Sequence, residues 1–484
     1  MFSIVEIYNE LNCNFGTMKR FVVYTLNLLC VCGLAAQPSI NWTGPTEVST
    51  EEFGNQCARI GLNSSGNPIV LHGKSSNNAG LYLSIMSEGE FGTPILVTPE
   101  TNIFLSESEG PRMAVSGDHI AVSYQIYGEW ATGAYVVLSD DGGLTWGTPY
   151  PLAPNATQDH FDPVVAFDGD NNPWVGLKWG TNPTLEGIHL FNNETDSFDP
   201  AVNGGFATTG VAVCECCPSN TFFQDGVYYN VVRNNFNNTR DFWLTASQDG
   251  INWTDAVDID PTDWNISSCP ASGASSTMMD DGTLVSCFMS AADGSRVYWS
   301  TVNLSTLTFQ ESGRVDPLNN STENHPSISS SGDWLVASWE MNSGGYNIMV
   351  AVSDAGASEL KNSVVNVTAD LPGSNRNPSV VYDGEFIHLV YKTMDGFVHY
   401  TKGEISGTSK VEGVELEENP WTISANDSGW ILRGEDAAYT LFDFQGRVLE
   451  MGEFFQELDI PVNKQGMIVQ LQSGHKTQSF KLLR

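Results

Sequence analysis

Short apolar runs alternate with polar turns along most of the chain, and the alternation repeats with a long step. A proline is followed by a β-branched run, an Asp/Gly/Ser turn and a second alternating apolar run. The unit reads "GPRMAVSGDHIAVSY" at Pro111, "DPVVAFDGDNNPWVGLKW" at Pro163, "CPSNTFFQDGVYYNVV" at Pro218, "CPASGASSTMMDDGTLVSCF" at Pro270, "HPSISSSGDWLVASW" at Pro326 and "NPSVVYDGEFIHLVY" at Pro378. Successive prolines are 52, 55, 52, 56 and 52 residues apart. "ARIGLNSSGNPIVLHG" supplies a further copy, with Arg59 at the proline's place 52 residues before Pro111, which makes seven. Side chains of a strand alternate between two faces, so each unit predicts short antiparallel strands joined by Gly and Asp turns. Four such strands per repeat make one blade of a β-propeller. The pattern therefore predicts an all-β fold: a seven-bladed β-propeller of four-stranded antiparallel blades over residues 38–410. The last copy lacks a fourth strand after "FVHYTKG". The early segment "SINWTGPTEVS" would supply it and close the ring, removing two open sheet edges.

Outside the repeat, three segments read differently. Residues 18–36 have two basic residues, a short apolar run and small residues near Ala36, the pattern of an export signal. Residues 1–36 are thus assigned to targeting, with Met18 as the expected start, and the apolar run is short for a membrane span. Residues 411–420 read as a linker. Residues 421–484 alternate in short strands and predict a small β-sandwich.

Composition narrows the function. With 41% hydrophobic residues, 13 Trp and 24 Phe among 484, the chain has enough apolar matter for a large core. Its net charge of -36 argues against nucleic-acid and anionic-membrane partners, because that field repels phosphate. Beyond the export signal the cysteines are Cys57, Cys214, Cys216, Cys217, Cys269 and Cys287, which in an exported chain are compatible with disulfides.

"LSDDGGLTWGTP" contains Ser139, Asp141, Gly143 and Trp146 in the pattern Ser-x-Asp-x-Gly-x-x-Trp, and "ASQDGINWTD" contains a box one residue shorter. Trp146 and Trp253 each lie 35 residues after their repeat's proline. The pattern resembles the Asp-box, or BNR repeat, of the sialidase (neuraminidase) superfamily. That resemblance implies a glycosidase, with an arginine cluster gripping a substrate carboxylate and a Tyr/Glu pair beside an Asp acid/base. Arg59 in "CARIG" is similar to the family's early arginine motif but lacks its flanking aromatic and proline, and no Tyr/Glu pair can be assigned. In the C-terminal segment, "LFDFQGRVL", "QGMIVQL" and the terminal "KLL" resemble the sorting domain of type IX secretion cargo of Bacteroidetes. That implies the secretion machinery as a partner and a secreted or cell-surface protein, with no catalytic part for residues 421–484.

Propellers bind ligands where their innermost strands begin, so the residues around each repeat proline carry the candidate chemistry. His160, Asp162, His325 and Glu340 are the candidate catalytic residues, as groups able to move protons. Arg59, Arg112 and Arg376 fall in consecutive repeats and are the candidate anion clamp, with Trp130 and Trp179 as stacking faces for sugar rings. Cys217 and Cys269 occupy matching places in adjacent repeats and are the candidate disulfide. A zinc site built from Asp162, Cys217, Cys269 and His325 is disfavoured, because four blades spread those ligands beyond bonds of ~2.0–2.3 Å. "DGDNN" at Asp168 is read as a plain turn and not a calcium loop. No metal and no cofactor is expected. The expected substrate is an acidic or complex glycan, with hydrolysis favoured. Uronate-polysaccharide lysis by a His or Tyr base and a non-catalytic glycan- or protein-binding propeller are the alternatives.

Overall fold

The computed structural model describes residues 37–48, 55–75, 79–181, 183–206, 212–317, 320–394, 396–407, 421–426, 429–443, 447–461, 467–473 and 476–482. The targeting segment and the linker 411–420 lie outside the described residues. The chain divides into two compact units, with Ala35–Gly413 forming the larger and Val414–Arg484 belonging to the other.

The larger unit is a β-propeller. Among the described residues its strands form seven antiparallel sheets that follow chain order. The second sheet shows the plan: Arg112–Ser116, His119–Gln125, Ala134–Ser139 and Tyr150–Pro151 pair in sequence order. One apolar cluster joins each sheet to the next. Leu83 and Val122 share a cluster between the first and second sheets, and Val136 and Val175 between the second and third. Trp174 and Tyr228 join the third to the fourth, Phe242 and Phe288 the fourth to the fifth, and Trp299 and Trp339 the fifth to the sixth. Val350 and Leu389 join the sixth to the seventh, while Val70 and Val390 return the seventh to the first. Because both faces of most central strands are covered, runs such as Pro68–Lys74 are buried throughout.

The ring closes as the missing strand foretold. Ser39–Trp42 pairs with Val398–Ser406, with Ile40 opposite Ile405 and Trp42 opposite Gly403. Thr46–Glu47 extends the same pairing. A Cβ at Gly403 would stand 2.7 Å from Ile40 and 2.9 Å from Trp42, so this glycine makes room for the closing strand.

The Ser-x-Asp-x-Gly-x-x-Trp turn is built by its own side chains. Ser139 Oγ accepts from the Gly143 N–H at 3.0 Å and donates to Asp141 at 2.9 Å, and Asp141 accepts from the Thr145 N–H at 2.9 Å. Gly143 has φ of 90°, and a Cβ there would strike Leu83. Trp146 packs against the cluster between the first two sheets. At Asp168 a carboxylate oxygen accepts from the N–H groups of Asp170 and Asn172, as a plain turn requires.

In the other unit, Trp421–Asn426, Gly429–Gly434 and Glu457–Pro461 form one sheet. Ala437–Phe442, Val448–Phe454, Met467–Ser473 and Lys476–Leu482 form a second. Trp421, Leu432, Tyr439, Ile460 and Val469 share one core, so the two sheets make a small sandwich.

Candidate functional site

One irregularity recurs in the innermost strands. The pairing register slips between Gln56 and Arg59, between Phe161 and Val164, between Asn324 and Ser327, and between Arg376 and Ser379. Inside each slip one non-glycine residue has left-handed backbone: Cys57 (φ 58°), Asp162 (φ 51°), His325 (φ 49°) and Asn377 (φ 52°). Such a conformation costs roughly 1–2 kcal/mol per residue and re-aims the side chain, as β-bulges beside functional sites do. Pro163, Pro326 and Pro378 follow three of these residues, where the interrupted ladder needs no N–H.

The slips correct the alignment made from sequence. Cys57, and not its neighbour Ala58, matches the residues that precede the prolines. Arg59 therefore matches Arg112, Ser327 and Ser379, one residue deeper in the strand than the repeat proline. These four residues line one cavity of about 250 Å³, together with Glu107, Asn220, Ser275 and His325. Six of the seven sheets or the segments leading into them contribute to its wall, so the cavity lies where the innermost strands converge.

Its charge is cationic. Arg59 donates to the carbonyls of Ala58 and Glu107 at 2.9 Å each, and Arg112 donates to the Ser108 carbonyl. Among the described residues neither guanidinium has a carboxylate partner within ion-pair distance. Burial, with Arg59 close by, brings Arg112 down to about 9, so it stays protonated at neutral pH. Glu107, the one carboxylate on the wall among the described residues, is engaged by the Lys392 ammonium and by the Cys57 N–H at 3.0 Å. Among the described residues His325 is the one imidazole on the wall, and burial holds its pKa below the usual histidine range.

Behind the wall, Glu340 acts as a hub. It accepts from Arg376 Nε at 3.2 Å, Arg376 Nη2 at 2.9 Å and the Asn377 N–H at 3.1 Å, with His325 Nε2 3.8 Å from its Oε1. Arg376 also lies 4.0 Å over the ring of Tyr346. Of the three arginines expected to form a clamp, Arg376 pairs with Glu340, while Arg59 and Arg112 line the cavity.

Other candidates fall elsewhere. His160 bonds the Gln158 carbonyl through ring Nδ1 and donates its backbone N–H to the Trp130 carbonyl, and it stands opposite Trp179 in the ladder. Trp130 packs edge-on against Phe104 and Tyr127. None of His160, Trp130 and Trp179 lines the cavity. Asp162 is buried in an ion pair with Lys178 at 3.1 Å, which removes it as a free acid. The disulfide also differs from expectation. Cys269 is joined to Cys216, while Cys217 is buried with its sulfur 3.2 Å from that of Cys214. Matching repeat positions predict matching backbone, but Cys216 and Cys217 are neighbours in the chain and both sulfurs come within 4.8 Å of that of Cys269, so position in the repeat does not choose between them.

Sequence reasoning passed over Glu107, Lys392, Ser327 and Ser379. Ser327 and Ser379 directly follow the marker prolines Pro326 and Pro378, and Glu107 stands four residues before Pro111, whereas Lys392 has no marker near it.

No known family profile and no curated protein matches the chain. Among solved structures, it is similar to an ulvan lyase bound to a GlcA(1-4)Rha3S fragment, at 9% identity over 74% of this chain and 95% of the other, with a TM-score of 0.49. It is similar to a Trypanosoma rangeli sialidase at 10% identity over 91% and 89%, with a TM-score of 0.43. A protein of unknown function from Dyadobacter fermentans matches at 12% identity over 76% and 100%, with a TM-score of 0.45. Such values name neither a substrate nor a residue's role. What the fold and site define by themselves is a β-propeller with a small cationic cavity at the convergence of its innermost strands.

Proposed function

We propose that this chain is a glycan-active β-propeller whose cavity holds the acid group of a sugar between Arg59 and Arg112. The observation that carries the reading is the pair of guanidiniums without carboxylate partners in a chain of net charge -36. With so many carboxylates available, two adjacent arginines left facing carbonyls and open space point to an anionic ligand. The cavity is slightly smaller than the ~300–1,000 Å³ usual for small-molecule sites, which suits one sugar ring.

The side chains on the wall favour β-elimination at a uronate. In that reaction a base takes the proton beside the carboxylate, and the glycosidic oxygen leaves from the adjacent carbon as the double bond forms. Arg59 and Arg112 would stabilise the charge that develops on the carboxylate, and His325, held neutral by burial, is the base. Hydrolysis of an acidic glycoside is the second reading, supported by the sialidase-like turns. A sialidase-like hydrolysis asks for a tyrosine nucleophile and an acid carboxyl group, and among the described residues the cavity wall has no tyrosine and its Glu107 is engaged by Lys392. Export by the N-terminal segment and delivery through a type IX pathway by residues 421–484 belong to the same proposal. Deleting residues 414–484 in a host with that pathway should leave the protein inside the outer membrane.

The test is turnover of a panel of uronate-containing and sialylated glycans by the mature protein. Elimination gives an ultraviolet-absorbing unsaturated uronate, and hydrolysis gives a saturated sugar. Arg59→Ala should cost about 10²–10³ in kcat and His325→Ala about 10²–10⁴, with circular dichroism unchanged. Saturable binding without any product would leave a binding propeller in place of an enzyme.

A further inference from the structure

Four sulfurs meet where the fourth and fifth sheets begin, in a group the proposed glycan chemistry does not use. Cys214, Cys216 and Cys217 precede the strand Asn220–Gln224, and Cys269 precedes Ser275–Met278. Their sulfur atoms all lie within 4.8 Å of one another. Cys214 Sγ is 3.7 Å from Cys216 Sγ and 3.2 Å from Cys217 Sγ. Four thiolates bound at ~2.3 Å around a tetrahedral ion stand about 3.8 Å apart, so Cys214 is already within about half an ångström of that spacing from Cys216 and Cys217, while Cys216 and Cys269 must part by about 1.7 Å once their disulfide opens.

The backbone around the group is held in place. The Cys214 N–H donates to the Arg233 carbonyl at 2.8 Å, and Val213 bridges to Asn234. The buried Arg233 guanidinium ties the carbonyls of Ser272, Arg240 and Met289 together across the same two sheets. The surroundings are positive. Arg240 is buried, and its Nε and Nη1 have no hydrogen-bond partner. Its nearest carboxylate, Glu215, stands 4.0 Å away, and the Lys178 ammonium donates to the Cys217 carbonyl. A divalent ion with four thiolates carries a charge of about -2, which Arg233 and Arg240 are placed to offset, the Lys178 charge being already paired with Asp162. Cys269 is exposed and Cys216 half-exposed, so an ion has a way in.

We propose that Cys214, Cys216, Cys217 and Cys269 form a tetrathiolate site for one thiophilic divalent cation of the zinc class, staple the fourth sheet to the fifth, and exchange that cation for the Cys216–Cys269 disulfide. The exchange balances. A dithiol reductant gives two electrons and two protons to the Cys216–Cys269 bond and becomes a disulfide itself. The four cysteine thiols then bind the cation and release their protons. Oxidation by a disulfide of the same class reverses both steps and expels the ion.

The test starts from the full chain reduced with dithiothreitol and desalted without oxygen. Zinc is added, the protein is desalted again, and bound zinc is measured by plasma mass spectrometry. Cobalt serves as the spectroscopic probe. The expected result is one zinc per chain and the intense visible bands of tetrahedral cobalt thiolate. Both should be lost in Cys214→Ser and Cys269→Ser and kept in Cys57→Ser and Cys287→Ser, whose sulfurs lie elsewhere. Should the serine variants fail to fold, the cobalt spectrum of the unsubstituted chain decides by itself, since the thiolate-to-cobalt charge-transfer intensity rises with each bound thiolate and the visible bands lie furthest to the red for four. Reduced protein that takes up no zinc, whether it stays folded or unfolds, overturns the proposal. So does zinc retention unchanged in a folded Cys214→Ser variant.

Discussion

At His325 a left-handed backbone, a following proline and a neighbouring carboxylate act together on one side chain. The bulge turns the imidazole into the cavity wall, and Glu340, already bound by Arg376, sits 3.8 Å behind it. Burial dominates the effect on its pKa, which lies below the ordinary 6.5. A base with a lowered pKa keeps its neutral form to lower pH. The kcat/KM profile of the proposed elimination should therefore stay flat through neutrality and fall only on the acid side of 6.5; an acid limb centred above 6.5 would exclude His325 as the base. Glu340 offers a second check at this scale. Replacing it by Gln removes the charge that holds Arg376 while keeping the shape, and should cost on the order of 2–4 kcal/mol in urea unfolding. Activity lost without any change in stability would instead mean that Glu340 takes part in the reaction directly.

At the scale of elements, the turns and the bulges divide the work. Turns such as Ser139–Trp146 are self-contained: the carboxylate of Asp141 is held below its usual range by bonds to Thr145. Asp141→Ala should lower stability by about 1 kcal/mol and leave turnover unchanged, read from paired melting and activity measurements. The bulges sit in the innermost strands and carry the site. Their presence was not legible in the repeat. A Pro-x-β-branched pattern is the same whether the preceding residue completes a ladder or is pushed out of it, so Arg59 was aligned one residue short. The Asp141 turn was legible because each of its bonds lies within five residues of the others. The cavity was legible only in part: Arg59, Arg112 and His325 lie near the marker prolines. Lys392 reaches Glu107 from a strand 285 residues away in sequence.

At the scale of the whole propeller, closure returns the seventh sheet to the first, after six sheet-to-sheet contacts made in chain order. The strand Ser39–Trp42 completes the seventh sheet and adds Ile40 and Trp42 to the core between the sixth and seventh sheets. Deleting residues 37–48 would leave Val398–Ser406 as an open edge, so the truncated chain should melt lower and aggregate on heating. Trp42→Ala, which keeps the strand but removes its largest contact, should cost roughly 2–3 kcal/mol. An unchanged melting temperature in both variants would show that the ring does not depend on this strand. The sequence by itself determined the number of repeats, their all-β character, the turns and the need for an N-terminal closing strand, because each is written in local spacing and alternation. Tertiary structure decided which arginines stay free, which carboxylates are consumed, and that Cys216 rather than Cys217 meets Cys269. These depend on how side chains from distant strands point once the ring has closed. A one-residue slip in register is enough to change them while leaving the pattern of the chain as it was.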